Sequence, residues 1–348
     1  MPIRPYQPGD EDRIQTLFTK VYEREQSMEE WRWKYEGPPR SDNPWILVYE
    51  EDGELLGHIG LWVMDAWIQG EPALLGLSLD AMVDPEAQLQ GIYTELNKEM
   101  IQRARAEGLD YLYGFPTEEA KYHLLRHTEG IHLASITRYR STLNPGALAA
   151  NFHPALKSFN TVGKGYRKAL FRAPAAPVSE GRVIEEVLHC DERFDELAES
   201  AAQAKPIMVQ RTADFLNWRY FDRPDKPYRM IALWEADKVL GYVVFSIEEV
   251  AHRKGVYSVA NIVDWLALDD PDVRKQLART IREHVKHCDV LQSWAMKGDS
   301  ASHQLLTKIG VRRKDEPMPV VVHHLGHLDA VFFNANNWRL LQGDVDTF

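Results

Sequence analysis

The chain repeats itself, and this limits its fold more than any other feature. Asn217-Trp218-Arg219-Tyr220 stands 185 residues after Arg32-Trp33-Lys34-Tyr35. Leu240-Gly241 follows Leu56-Gly57 by 184 residues, and Asp264 follows Asp80 by the same interval. Gly310 follows Gly130 by 180. Offsets this steady point to a duplicated unit, and 348 residues accommodate two domains. The expected division is a first domain over 1–143, a linker over 144–181 holding the proline- and alanine-rich FRAPAAPVSEG, and a second domain over 182–348.

Within the first copy the pattern reads β-α-α-β-β-β-α-β-α-β. Ile3–Tyr6 is a short strand, and apolar residues at Ile14, Leu17, Phe18 and Val21 keep helical spacing. Met28–Tyr35 is a second helix, stopped by Gly37-Pro38-Pro39. Two strands meet at Asp52-Gly53, a hairpin signal, and a looser turn is expected over 68–74. The apolar run Leu75–Val83 is a strand ended by Asp84-Pro85-Glu86. Gln88-Leu89-Gln90-Gly91-Ile92-Tyr93 then opens a helix. A strand, a glycine turn and a helix N-terminus present free N–H groups and partial positive charge to an anion. A dinucleotide fold would place three glycines after its first strand. Here one glycine follows the fourth, which argues against a nicotinamide or flavin site.

Val83-Asp84-Pro85-Glu86-Ala87-Gln88-Leu89-Gln90-Gly91-Ile92 resembles the fourth-strand to third-helix motif of the GNAT superfamily of N-acetyltransferases. Gly114-Phe115-Pro116, Ala120 and Gly130 fit the same pattern, over residues of about 3–143. The resemblance implies a mixed α/β fold: two tandem GNAT-like domains, each a mostly antiparallel sheet flanked by helices. It further implies that Gln88, Leu89, Gln90, Gly91, Ile92 and Tyr93 hold the pyrophosphate of acyl-CoA, acetyl-CoA first among candidates. Met82 and Val83 would lie along the pantetheine. Gln88 and Tyr93 depart from the family, which favours arginine and a small residue there.

The second copy lacks the turn. Lys275 stands at the register of Gly91, among Asp269, Asp270 and Asp272. This copy is expected to bind no CoA and instead to shape an acceptor pocket, pack on the first copy, or support a homodimer.

Acyl transfer to an amine needs a base for the amine and an acid for the departing thiolate. Asp80 is the candidate base, with burial expected to raise its carboxyl toward neutrality. Tyr122 is the candidate acid, although the family's tyrosine position holds Leu124. His58 is expected to be a buried core residue, His123 and His127 solvated, and Trp31 and Trp33 core aromatics.

A net charge of −11 disfavours nucleic acid and anionic membrane surfaces as partners. The two cysteines have no metal spacing, and no HExxH, CxxC, GxSxG or Walker pattern occurs. No metal is expected. No apolar leader and no run of about 18 apolar residues is present, so a cytoplasmic protein is expected. The expected activity is direct acyl transfer from acyl-CoA to a primary amine of a small molecule or amino sugar. The alternatives are a Fem-like aminoacyl transferase and a non-catalytic acyl-CoA-binding protein.

Overall fold

A computed structural model describes residues 2–41, 44–152, 159–170, 178–202, 207–252, 255–326 and 330–346. The first half runs β1 (Ile3–Pro5), α1 (Glu11–Tyr22), α2 (Met28–Tyr35), β2 (Ile46–Glu51), β3 (Glu54–Ile68) and β4 (Glu71–Val83). It continues with α3 (Ile92–Ala106), β5 (Tyr111–Gly114), α4 (Glu118–His127) and β6 (Ile131–Thr142). This is the element order expected from the sequence. The turn expected over 68–74 is present around Gly70 but tighter than expected, because β3 and β4 run up to Gln69-Gly70. Both of those residues have positive φ, as do Asp52 and Gly53. Two left-handed residues match the twist of the strands they join, so both hairpins close in two residues.

The connecting stretch carries α5 (Pro145–Phe152) and α6 (Phe159–Leu170). Most of its proline-rich part, 171–177, lies outside the described residues. The second half runs β7 (Arg182–Val187), α7 (Glu192–Ala202), β8 (Ile207–Val209) and α8 (Ala213–Leu216), which continues as a π turn over Asn217–Phe221. There follow β9 (Arg229–Glu235), β10 (Lys238–His252), β11 (Gly255–Ala267), α9 (Pro271–Val285), β12 (Val290–Ala295), α10 (Ser300–Ile309) and β13 (Arg313–His324).

The two halves share one sheet. Its order is β1-β2-β3-β4-β5-β13-β6-β12-β11-β10-β9-β7, with β8 added against β3. The long strands β6 and β13 pair with each other at the centre, and each also completes the sheet of the other half. Residues 131–142 supply β6, the last strand of the first half. The neighbour of β5 comes from the far end of the chain.

An approximate two-fold relation is visible at atomic detail. Trp33 Nε1 donates to Trp218 O at 2.7 Å, and Trp218 Nε1 donates to Trp33 O at 2.9 Å. Their rings stack with centroids 5.7 Å apart. The repeated tryptophans therefore pin the two copies together. Large apolar residues from both halves make one continuous core around this contact, including Phe18, Trp62, Phe194 and Phe215.

Candidate acyl-CoA cleft

β4 and β5 are parallel neighbours only over Leu75–Leu77 and Tyr111–Tyr113. Past Leu77 the strands part, so β4 leaves backbone groups unpaired on that side while it runs on to Val83. A bulge helps to bend it. His58 pairs with Met82 and Gly60 with Leu79, so Asp80 and Ala81 face one residue, Ile59. Asp80 takes a left-handed conformation with φ 44°, and its carbonyl oxygen lies 2.8 Å from His58 Nδ1. The opening leads to a cavity of about 600 Å³. Its wall includes Ser78–Ala81, Tyr93, Tyr113–Thr117 and Ala120 of the first half, Arg223 and Lys226 of the second, His323 of β13 and Asp346 of the tail.

The expected anion turn lies just before Tyr93, which lines this cavity. Asp84 Oδ1 accepts from Glu86 N at 2.9 Å and starts a single 3-10 turn, Pro85–Ala87. Gln88, Leu89, Gln90 and Gly91 are exposed, and Leu89 is left-handed. Gly91 is the N-cap of α3 at φ 87° with no side-chain cap, and a Cβ there would meet nothing within 4 Å. No side chain caps the first N–H groups of α3, as an anion site requires. Ile92 and Met82 are buried core residues, while Tyr93 and Val83 are half-buried. Tyr93 faces the cavity, where burial pushes its hydroxyl up to about 12.

Among the described residues the second half has no counterpart. α9 starts early, at Pro271, so Lys275 lies inside the helix. Asp270 Oδ1 accepts from Asp272 N at 2.8 Å and occupies the end where an anion would sit.

Asp80 lies in the cavity wall with its carboxylate held by two partners. Burial alone would raise its carboxyl. The Lys34 ammonium at 2.7 Å and the Tyr35 hydroxyl donating at 2.6 Å outweigh burial and hold the carboxyl below its ordinary range. The expected shift toward neutrality is therefore reversed. The sequence missed Lys34 because it lies on α2, 46 residues away, and only packing joins them. The same pin recurs in the second half, where Tyr220 donates to Asp264 at 2.7 Å and Arg211 pairs with it at 3.0 Å. A device present in both copies, only one of which has the anion turn, holds the strand bulge. The repeat of Tyr35 and Asp80 as Tyr220 and Asp264 was the available signal.

Because the folded carboxyl of Asp80 is depressed, its stabilisation is present above the unfolded value of about 4 and is lost as pH falls through the lower folded value. Lys34→Met removes the cation, leaves burial to dominate, and reverses the shift. At pH 7 the variant is expected to be about 3 kcal/mol less stable than wild type. The gap should shrink toward pH 4.5, where the unpaired carboxyl takes a proton. Urea unfolding at both pH values measures this, and a gap independent of pH would remove the ion pair from the account.

Tyr122 is displaced from its expected place. It is 55 % exposed, does not line the cavity, and its hydroxyl accepts from Arg126 on the outer face of α4. Tyr113, not among the expected site residues, is 1 % exposed, lines the cavity, and its hydroxyl has no hydrogen-bond partner among the described residues. Burial holds that hydroxyl well above its ordinary value, so it is a proton donor at neutral pH. His323 meets Thr128 Oγ1 at 2.8 Å, and burial lowers it to about 4, which leaves it neutral. His58, Trp31 and Trp33 are buried, as expected.

Family models for an acetyltransferase (GNAT) domain match residues 2–125 and again residues 207–322. The chain is a tandem GNAT protein. Among the described residues, the open glycine turn lies in the first of these GNAT domains. Solved structures agree on the fold. A GCN5-related N-acetyltransferase from Anabaena variabilis superposes with a TM-score of 0.67 at 14 % identity, over 93 % of this chain and 72 % of that one. A probable N-acyltransferase from Enterococcus faecalis V583 gives 0.65 at 14 % identity, over 93 % and 72 %. Saccharomyces cerevisiae N-myristoyltransferase with bound myristoyl-CoA gives 0.58 at 12 % identity, over 92 % and 78 %. A search of curated proteins finds no match. Among the described residues no group of three metal-ligating side chains occurs, and no helix is long and apolar enough to cross a membrane.

Proposed function

We propose that the protein moves an acyl group directly from acyl-CoA, acetyl-CoA first among donors, to a primary amine of a small molecule or amino sugar. The observation that carries this reading is the uncapped Gly91 turn, two residues before Tyr93 in the cavity wall, beside the diverging strands β4 and β5. Backbone N–H groups over Gln88–Tyr93 would hold the pyrophosphate. The unpaired side of β4 after Leu77 would extend its ladder along the pantetheine. Acyl-CoA supplies the activated thioester.

The remaining work falls to side chains already aimed into the cavity. Tyr113 is the proposed donor to the departing thiolate, because its hydroxyl is protonated, buried and without a partner among the described residues. Asp80 is a positioning residue that keeps β4 bent. The binding of myristoyl-CoA by one structural neighbour supports an acyl-CoA donor for this fold.

The test is CoA release from acetyl-CoA with the full chain and a panel of primary amines, with the product identified by mass. Amine-dependent release with intersecting initial-rate lines is the expected result, as direct transfer in a ternary complex requires. Acetyl-CoA binding with no acylated product from any amine would leave only a binding protein.

A further inference from the structure

The two halves differ along one row of the sheet. In the first half Trp62, Leu77, Tyr113 and Val322 stand directly opposite one another across β3, β4, β5 and β13. All four are buried. Residues of the second half roof this row, with Trp218 packing edge-on against Trp62 at 4.9 Å between centroids and Trp338 lying 6.5 Å from Tyr113. The same ladder positions across β10, β11, β12 and β6 hold Ser246, Asn261, Gln292 and Arg140. Every apolar residue of the row has become polar.

This second row is the floor of a cavity of about 230 Å³, walled also by Lys226, Glu248, Tyr257 and Gln342. Polar groups placed where a sheet buries its side chains cost free energy unless they are bonded. Here they are incompletely bonded to each other. Ser246 Oγ donates to Glu248 Oε1 at 3.1 Å. Asn261 Nδ2 reaches Ser246 Oγ at 3.5 Å, and Gln292 Nε2 reaches Asn261 Oδ1 at 3.5 Å, both at the outer limit of a hydrogen bond. Gln342 Oε1 is buried with no partner among the described residues. Two amides, a hydroxyl, a carboxylate and a guanidinium offer donors and acceptors in alternation. Hydroxyl groups on adjacent carbons, each donor and acceptor at once, complement such a row. An apolar ligand would leave it unsatisfied.

Lys226 lines both this cavity and the principal cleft. We infer that the second half, which has no CoA turn, is the acceptor-recognition half, and that it binds a polyhydroxylated, sugar-like moiety whose amine points toward the principal cleft. This rests on the acyltransferase reading and adds the class of acceptor to it.

The test uses the full chain with Asn261→Leu combined with Gln292→Leu. Leucine is the residue that the first half carries at the Asn261 position, so the sheet accommodates it. D-glucosamine is the acceptor probe, and cyclohexylamine is an amine without hydroxyls. The variant is expected to raise KM for glucosamine tenfold or more, with KM for acetyl-CoA within twofold and cyclohexylamine turnover unchanged. Saturation-transfer NMR with methyl N-acetylglucosaminide, which has no free amine, reads the site without turnover. Transfer to its ring protons is expected in wild type and lost in the variant. An unchanged thermal shift with acetyl-CoA shows that the variant is folded.

No saturation transfer in wild type, or equal transfer in the variant, overturns the saccharide site. Acylation of glucosamine with unchanged KM in the variant does the same and leaves the acyltransferase reading intact. Saturation transfer that the variant loses, with no amine acylated, overturns that reading and with it the acceptor role, while leaving the sugar contact in place.

Discussion

Gly91→Glu is expected to lower kcat/KM for acetyl-CoA at least 100-fold while the fold survives. The residue caps α3 at φ 87°, and its Cβ direction opens onto empty space. A glutamate there meets no steric barrier. It costs roughly 1–2 kcal/mol for a left-handed residue with a side chain. The carboxylate would lie beside the N–H groups of the first turn of α3 and take the place of a phosphate. The helix N-terminus that attracts an anion would then be filled by the protein's own. Gly91→Ala separates the two effects, since it carries the backbone strain without the charge and is expected to lose tenfold or less. Equal losses in both variants would show that backbone strain, rather than anion competition, governs the turn.

The largest loss of stability is expected from Arg211→Leu, at about 4 kcal/mol. Arg211 is 1 % exposed, and Asp264 and Asp344 are both fully buried beside it. Its guanidinium donates to Asp264 at 3.0 Å, to Asp344 at 2.8 Å and to Val209 O at 3.0 Å. Burial alone would lower its pKa, and the two carboxylates more than reverse this, so it stays charged. Removing it leaves two buried carboxylates facing each other with no cation, which is far costlier than losing an exposed pair. The damage should reach the first half. Asp344 Oδ2 also accepts from Leu341 N at 2.8 Å and so fixes the tail. That tail places Phe332 against Tyr111 and Trp338 against Phe332. Urea unfolding measures the loss, and a change below about 1 kcal/mol would contradict this role.

The element order and the duplication were legible because each rests on local pattern: apolar spacing in α1 and α3, Asp-Gly at a hairpin tip, and tryptophans repeated at one interval. The turn at Gly91 was legible from the order of elements around it and from the resemblance of Val83–Ile92 to a family motif, since glycine alone is common between a strand and a helix. What escaped depends on contacts between distant residues. Nothing in β6 or β13 marks them as partners, because an apolar strand reads alike beside either neighbour. The reversed shift of Asp80 depends on Lys34 arriving from another helix. Tyr122 and Tyr113 exchange places because helix phase and strand face decide which hydroxyl enters the cavity. Ser246, Asn261 and Gln292 form a row only once the register of three strands is known.

The central claim is that the first half alone binds acyl-CoA, at the Gly91 turn. Calorimetric titration of acetyl-CoA into wild type and into Gly91→Glu tests it most directly. One site per chain in wild type, absent in the variant, is the expected result. Two sites per chain, or undiminished binding in the variant, would contradict it and move the ligand away from this turn.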